Sequence, residues 1–152
     1  EDREHVKKQY VGQCASVFLD ELNIPYSGDP RLVICEVPWD HPFVQVEMLT
    51  SILPITRVKD VDEGIERAVQ AEHGFGHTAC MWSKDIEHLH RMARVVNTSI
   101  FVKNAPSYAG LAQGGEGYTS FTIASPTGEG LTTALSFSRQ RRCTLKDFFR
   151  IV

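Results

Sequence analysis

Apolar and polar positions follow two different periods along this chain, and the change of period marks out its elements. Ile52, Leu53, Pro54, Ile55, Thr56, Arg57 and Val58 form a short apolar run rich in β-branched residues, the pattern of a buried strand. Asp60 stands where a helix N-cap belongs, with Glu63 three residues on in a capping-box arrangement. Val61, Ile65, Ala68 and Val69 recur at helical spacing, and Gly74 supplies a C-terminal stop. His77, Thr78, Ala79, Cys80, Met81 and Trp82 predict a second strand. Ser83 or Asp85 caps a second helix with Ile86, Leu89, Ala93 and Val96 on its apolar face, and residues 99–103 predict a third strand. Strands alternating with helices in this way imply an α/β fold with a parallel β-α-β-α-β sheet and right-handed crossovers.

The flanks are less regular. Residues 3–22 predict one amphipathic helix, with Val6, Tyr10, Cys14, Val17, Phe18 and Leu22 on one side and a close neighbour expected at Gly12. A loop over residues 23–30 and a buried strand over residues 31–37 follow. Pro38, Trp39, Asp40, His41 and Pro42 make a stiff turn, because each proline fixes its own φ and biases the residue before it away from helix. Glu47 then stands among Val44, Val46, Met48 and Leu49, where pattern alone makes it a solvent-facing residue on an alternating strand. After residue 103 the periodicity fades. Gly114, Gly115 and Gly117, then Gly128 and Gly130, concentrate in two loops, around a brief strand at residues 118–123. Residues 131–137 and 142–145 are candidate terminal strands, separated by the basic run Arg139-Gln140-Arg141-Arg142.

Length and composition narrow the possibilities. A chain of 152 residues is one domain's worth of polypeptide, and 42% hydrophobic with 23% charged residues is ordinary for a soluble globular protein. A net charge of −3 gives no electrostatic reason to bind nucleic acid, and no apolar run approaches the roughly 20 residues that span a bilayer. Cys14, Cys35, Cys80 and Cys143 are widely spread with no C-x-x-C pair, which predicts free thiols and a cytoplasmic setting. The first residues are highly charged, unlike a secretory signal, and lack an initiating Met, so a chain cut from a longer polypeptide is expected.

Little of the chemistry is local. Neither glycine-rich loop has the G-x-G-x-x-G or G-x-x-x-x-G-K-[ST] spacing of a phosphate cradle. His73 and His77 lie four apart, but Gly74 and Gly76 break the helix that would align them and no third ligand completes a metal site. His88 and His90, two apart on a helix, point to different faces. A nucleophilic cysteine needs a depressed pKa. Cys14 falls mid-helix on an apolar face, Cys35 and Cys80 fall within strands, and Cys143 borders a solvated basic edge. No complete catalytic set, and no metal site, emerges from the residues themselves.

Several longer motifs add to this. Pro42-Phe43-Val44-Gln45-Val46-Glu47, followed by Leu53-Pro54-Ile55-Thr56-Arg57-Val58, resembles the later part of the aldehyde dehydrogenase catalytic domain, as does Phe101-Val102-Lys103-Asn104-Ala105-Pro106-Ser107. Gly114-Gly115-Glu116-Gly117-Tyr118, Phe121-Thr122-Ile123, Pro126-Thr127-Gly128-Glu129-Gly130-Leu131-Thr132 and Arg139-Gln140-Arg141-Arg142-Cys143 resemble the CoA-acylating branch of that family, the acetaldehyde and propionaldehyde dehydrogenases of bacterial microcompartments. The resemblance runs through almost the whole chain. It implies oxidation of a short-chain aldehyde by NAD, a cysteine thioester, and transfer of the acyl group to coenzyme A. In the family's order the nucleophilic cysteine and the dinucleotide-binding domain precede this segment, and none of the four cysteines here matches the nucleophile.

The resemblance therefore implies a partial catalytic domain over residues 1–152, inactive alone and dependent on a missing cofactor domain. It gives Glu47 a hydrogen bond to the nicotinamide ribose, a fitting acceptor role for a carboxylate facing paired hydroxyls. It places Asn104, Pro106, Ser107, Thr122 and Ile123 near the aldehyde pocket. Strands at about residues 131–152 would pack against a partner subunit, giving a homo-oligomer. Two alternatives stand beside it: a fragment of glutamate-semialdehyde (γ-glutamyl phosphate) reductase, or a non-catalytic assembly module that associates through its sheet edges.

Overall fold

Parallel strand pairs carry the fold of this computed structural model, which describes residues 6–117, 123–124 and 130–146. The chain divides into two compact units, Glu1–Ala71 and Glu72–Val152.

In the first unit, α1 (Ala15–Glu21) buries Ala15, Phe18 and Leu19 at i, i+3 and i+4 spacing, the signature of a helix with one inward stripe. It is much shorter than the helix expected over residues 3–22. A 3-10 turn, Lys8–Tyr10, comes first, and Gly12 then adopts φ +72°, a left-handed conformation that no α-helix continues through. The Gly12 N–H donates to the Leu49 carbonyl at 2.8 Å, and the Ser51 hydroxyl donates to the Gln13 carbonyl at 2.8 Å. Leu49 is itself left-handed, at φ +49°. Cys14 consequently lies exposed at the N-cap of α1, which corrects its expected position on a mid-helix apolar face.

β1 (Val33–Glu36) and β2 (Ile52–Ile55) pair in parallel, Val33 opposite Ile52 and Glu36 opposite Ile55. Between them α2 (Pro42–Gln45) is a single helical turn that the apolar pattern did not announce. Pro42 suits its first position, where a missing N–H costs nothing, and the His41 Nδ1 accepts from the Phe43 N–H at 3.1 Å. Glu47 falls in the irregular coil after α2 and is exposed, solvent-facing as the pattern implied but not on a strand. α3 (Val61–Ala71) begins with the expected reciprocal cap: Asp60 Oδ1 accepts from the Glu63 N–H and the Glu63 carboxylate accepts from the Lys59 N–H, each at 2.9 Å. Its inward side is Ile65, flanked by half-buried Val61 and Val69.

The second unit opens with a tight loop. The Glu72 carboxylate accepts from the N–H groups of Gly74 and His77 at 3.1 and 3.2 Å, while His73 and Gly74 are both left-handed. β3 (Thr78–Met81) and β4 (Ile100–Lys103) then pair in parallel, Thr78 opposite Ile100 and Met81 opposite Lys103, joined by α4 (Ile86–Val95). Asp85 caps α4, its carboxylate accepting from the Glu87 N–H at 2.8 Å. The buried face of α4 is Leu89, Met92 and Val96, rotated from the expected one. Ile86, in the first turn, is 75% exposed, and Ala93 is exposed as well.

The parallel geometry predicted for the middle of the chain is thus present in both units, with β2 paired to β1 and β3 paired to β4. β5 (Ile123–Ala124) and β6 (Gly130–Leu131) form a small antiparallel pair. The terminal strands expected at residues 131–137 and 142–145 are corrected beyond Leu131. Ala134–Phe137 is a 3-10 turn closed by a reciprocal Thr133–Ser136 cap, and residues 138–146 have no regular structure. Residues 147–152 lie outside the described residues, as do residues 118–122 of the brief strand expected over 118–123. Among the described residues no helix is long and apolar enough to cross a membrane.

A second 3-10 turn, Ser107–Leu111, packs on β4, and glycine is what allows it. A Cβ on Gly110 would lie 2.5 Å from Ile100 Cγ2 and 3.2 Å from Val102 Cγ2, both on stiff β-branched side chains of the strand. Gly110→Ala should therefore cost about 1–3 kcal/mol, the range of an overpacked contact. Urea unfolding measures it, and an unchanged midpoint would mean that the turn lifts freely from β4.

Candidate functional site

In parallel α/β sheets the loops that follow the strands gather at one end, where ligands bind. At the carboxyl end of β3 and β4, Asn104 continues the ladder by donating its N–H to the Met81 carbonyl at 2.8 Å. Its φ of +56° is left-handed, a conformation asparagine tolerates better than most residues. Its side chain reaches across to the loop after β3. Oδ1 accepts from the Ser83 N–H at 2.8 Å and Nδ2 donates to the Ser83 carbonyl at 3.0 Å. Ser83 Oγ in turn accepts from the Asp85 N–H at 3.0 Å, so the clamp continues to the cap of α4.

Pro106 holds the N-cap position of the next 3-10 turn, in extended backbone, and Ser107 opens the turn; both are exposed. Cys80 lies on β3 opposite Val102. Burial pushes its thiol pKa up and a hydrogen bond from Ser107 pulls it down, with burial the larger effect. A thiol held in the protonated form is a poor nucleophile, which agrees with the expectation that Cys80 packs rather than reacts. Asn104, Pro106 and Ser107 are therefore brought to one loop. Ile123 stands half-buried on β5 opposite Leu131, and Thr122 lies outside the described residues.

The first unit has its own cavity, of about 440 Å³, beyond the carboxyl ends of β1 and β2. Arg57 holds Glu36 in a two-point pair, Nε to Oε1 at 2.8 Å and NH2 to Oε2 at 2.9 Å, and this bonding keeps the Glu36 carboxyl below the usual carboxylate range. The Arg67 guanidinium lies 4.7 Å from the centroid of the Trp39 ring and 3.6 Å from Glu63. No motif or period in the sequence announces this group. The available signal was the alternation of β1, which turns Glu36 to the same side as its neighbour Ile55, two residues before Arg57. The cavity offers charges of both signs and no nucleophile.

Glu47 differs from these carboxylates. It is exposed, and among the described residues it forms no hydrogen bond or ion pair. An unengaged carboxylate is acceptor-only, with two oxygens available to a diol. Cys143 is exposed beside the basic run, as expected. Among the described residues no group of three His, Cys, Asp or Glu side chains could hold a metal ion.

Comparison with known proteins places these observations in context. The model of the aldehyde dehydrogenase family matches residues 29–133. An acetaldehyde dehydrogenase (acetylating) of Salmonella typhimurium is 47% identical over 147 residues, covering 97% of this chain and 32% of that protein. A solved propionaldehyde dehydrogenase of Rhodopseudomonas palustris, with bound CoA and an acylated cysteine, is 49% identical with a TM-score of 0.83, covering 91% of this chain and 32% of that one. A propionaldehyde dehydrogenase from the Clostridium phytofermentans fucose utilisation bacterial microcompartment is 41% identical with a TM-score of 0.82, covering 96% and 34%. The chain thus spans about a third of the length of the relatives it matches.

The Glu36–Arg57 pair gives a direct titration test. Its carboxylate is favoured in the folded state, so its contribution is present above the ordinary carboxylate pKa and fades as pH falls through the lowered folded value. Arg57→Gln should return the Glu36 midpoint upward toward that of an unpartnered glutamate. Carbon-detected NMR titration reads this, and an unmoved midpoint would assign the depression to some other group.

Proposed function

The chain belongs to the aldehyde dehydrogenase family, and on that footing we propose that it is the C-terminal part of a CoA-acylating enzyme. That enzyme oxidises a short-chain aldehyde to an acyl-CoA, with NAD as hydride acceptor. The observation that carries the proposal is 47–49% identity to acetylating and propionaldehyde dehydrogenases across nine-tenths or more of the chain. Those relatives act through CoA, which leaves the reductase alternative without support.

Within such an enzyme the nicotinamide supplies the hydride acceptor and CoA supplies the thiol that removes the acyl group. The attacking cysteine comes from the remainder of the polypeptide, since none of the four here matches its place in the family motif. Glu47 suits the cofactor's ribose because its carboxylate is exposed and has no partner among the described residues, with two acceptor oxygens for two hydroxyls. The loop of Asn104, Pro106 and Ser107, with Ile123, forms one side of the aldehyde pocket. Leu135 and Phe137, 79% and 71% exposed, give the terminal segment an uncovered apolar surface suited to a second subunit of a homo-oligomer. A setting inside a bacterial microcompartment follows from kinship with the Clostridium enzyme.

The 152-residue chain should show no turnover of propionaldehyde with NAD and CoA, because the reacting thiol must be held about 3–3.5 Å from the carbonyl. The full-length enzyme should turn over. Clear activity of the short chain, or none in the long one, would overturn the proposal. In the full-length enzyme, Glu47→Gln should lower kcat/KM for NAD about ten- to hundredfold, the loss of one charge-assisted hydrogen bond, while KM for CoA holds. An unaltered NAD dependence would remove Glu47 from the cofactor site.

A further inference from the structure

The amide of Asn104 is already committed. Both of its polar atoms bond the backbone of Ser83, Oδ1 to the N–H and Nδ2 to the carbonyl, at 2.8 and 3.0 Å. Its own N–H is held by Met81 at 2.8 Å. Turning the amide toward a substrate would leave two Ser83 backbone groups to find new partners, and would free a left-handed backbone whose geometry the clamp helps to fix. Three residues on, Ser107 begins a 3-10 turn that packs against β4 and contacts β3. The segment is held at one end by the clamp and at the other by this packing, with half-buried Ala105 and exposed Pro106 between them.

We infer that Asn104 is a positioning residue: its two-point clamp on Ser83 locks residues 104–107 against the β3–α4 turn, so that Ala105-Pro106 forms a rigid wall that sets which aldehyde chain lengths fit. This rests on the proposed aldehyde pocket and goes beyond it by assigning Asn104 no contact with the substrate. A wall acts through shape, so its loosening changes the fit of the alkyl chain more than the chemical step. A direct contact to the carbonyl would instead act on the chemical step for every aldehyde alike.

The test uses the full-length enzyme, with the unsubstituted protein measured first on acetaldehyde, propionaldehyde and butyraldehyde. Asn104→Gly keeps the left-handed backbone and deletes the clamp. It should raise the propionaldehyde KM about five- to tenfold and narrow the preference among the three aldehydes. kcat should stay within about twofold, with KM for NAD and CoA unchanged and the Ser83 amide exchanging faster with solvent. Asn104→Asp provides a second readout in a folded protein. At pH 8 its carboxylate cannot donate to the Ser83 carbonyl. The acceptor half of the clamp is kept, so the KM defect should be smaller than that of Asn104→Gly. Faster Ser83 exchange with unaltered aldehyde kinetics would reduce the clamp to a structural contact and overturn the inference. An equal fall of kcat for all three aldehydes would overturn it in favour of direct contact. No turnover by the unsubstituted enzyme would remove the function proposal itself, and the inference with it.

Discussion

Parallel pairing is the constraint from which the rest of the structure follows. Two parallel strands cannot be joined by a tight turn, so each pair needs a connection that climbs back to the starting edge. In the second unit α4 makes that return between β3 and β4. In the first, the return from β1 to β2 runs through α2 and the coil bearing Glu47. The same directionality gathers the loops after each strand at one end. Asn104 and Ser83 meet at that end of the second unit, and Glu36 meets Arg57 at that end of the first.

Interactions closed within a few residues were legible in the sequence. Asp60 and Glu63 are three apart and cap α3 as their types require, and the apolar runs that became β2, β3 and β4 are where the pattern put them. What was not legible depends on distant partners. Gly12 ends a helical pattern because its N–H is taken by Leu49, far along the chain. Asn104 and Ser83 are separated by 21 residues, as are Arg57 and Glu36, so neither pair leaves a local signature. The face of α4 was misplaced for a related reason: its periodicity admits two neighbouring stripes, and only packing selects Met92 over Ala93.

The candidate site shows the same division of labour. The second unit has a clamped loop and the first a stacked arginine, yet among the described residues neither unit contains an activated nucleophile. Burial, the largest influence on Cys80, opposes the thiolate.

Leu49 illustrates a tension that such coils carry. Holding a leucine at φ +49° costs about 1–2 kcal/mol that glycine would avoid. Its side chain is exposed and repays little through packing, so it is the backbone bond from Gly12 that keeps the conformation in place. Two residues away sits Glu47. Relaxing the joint would make the coil more comfortable and leave the backbone that carries Glu47 less firmly held, so thermal robustness and local rigidity pull in opposite directions at this point of the chain.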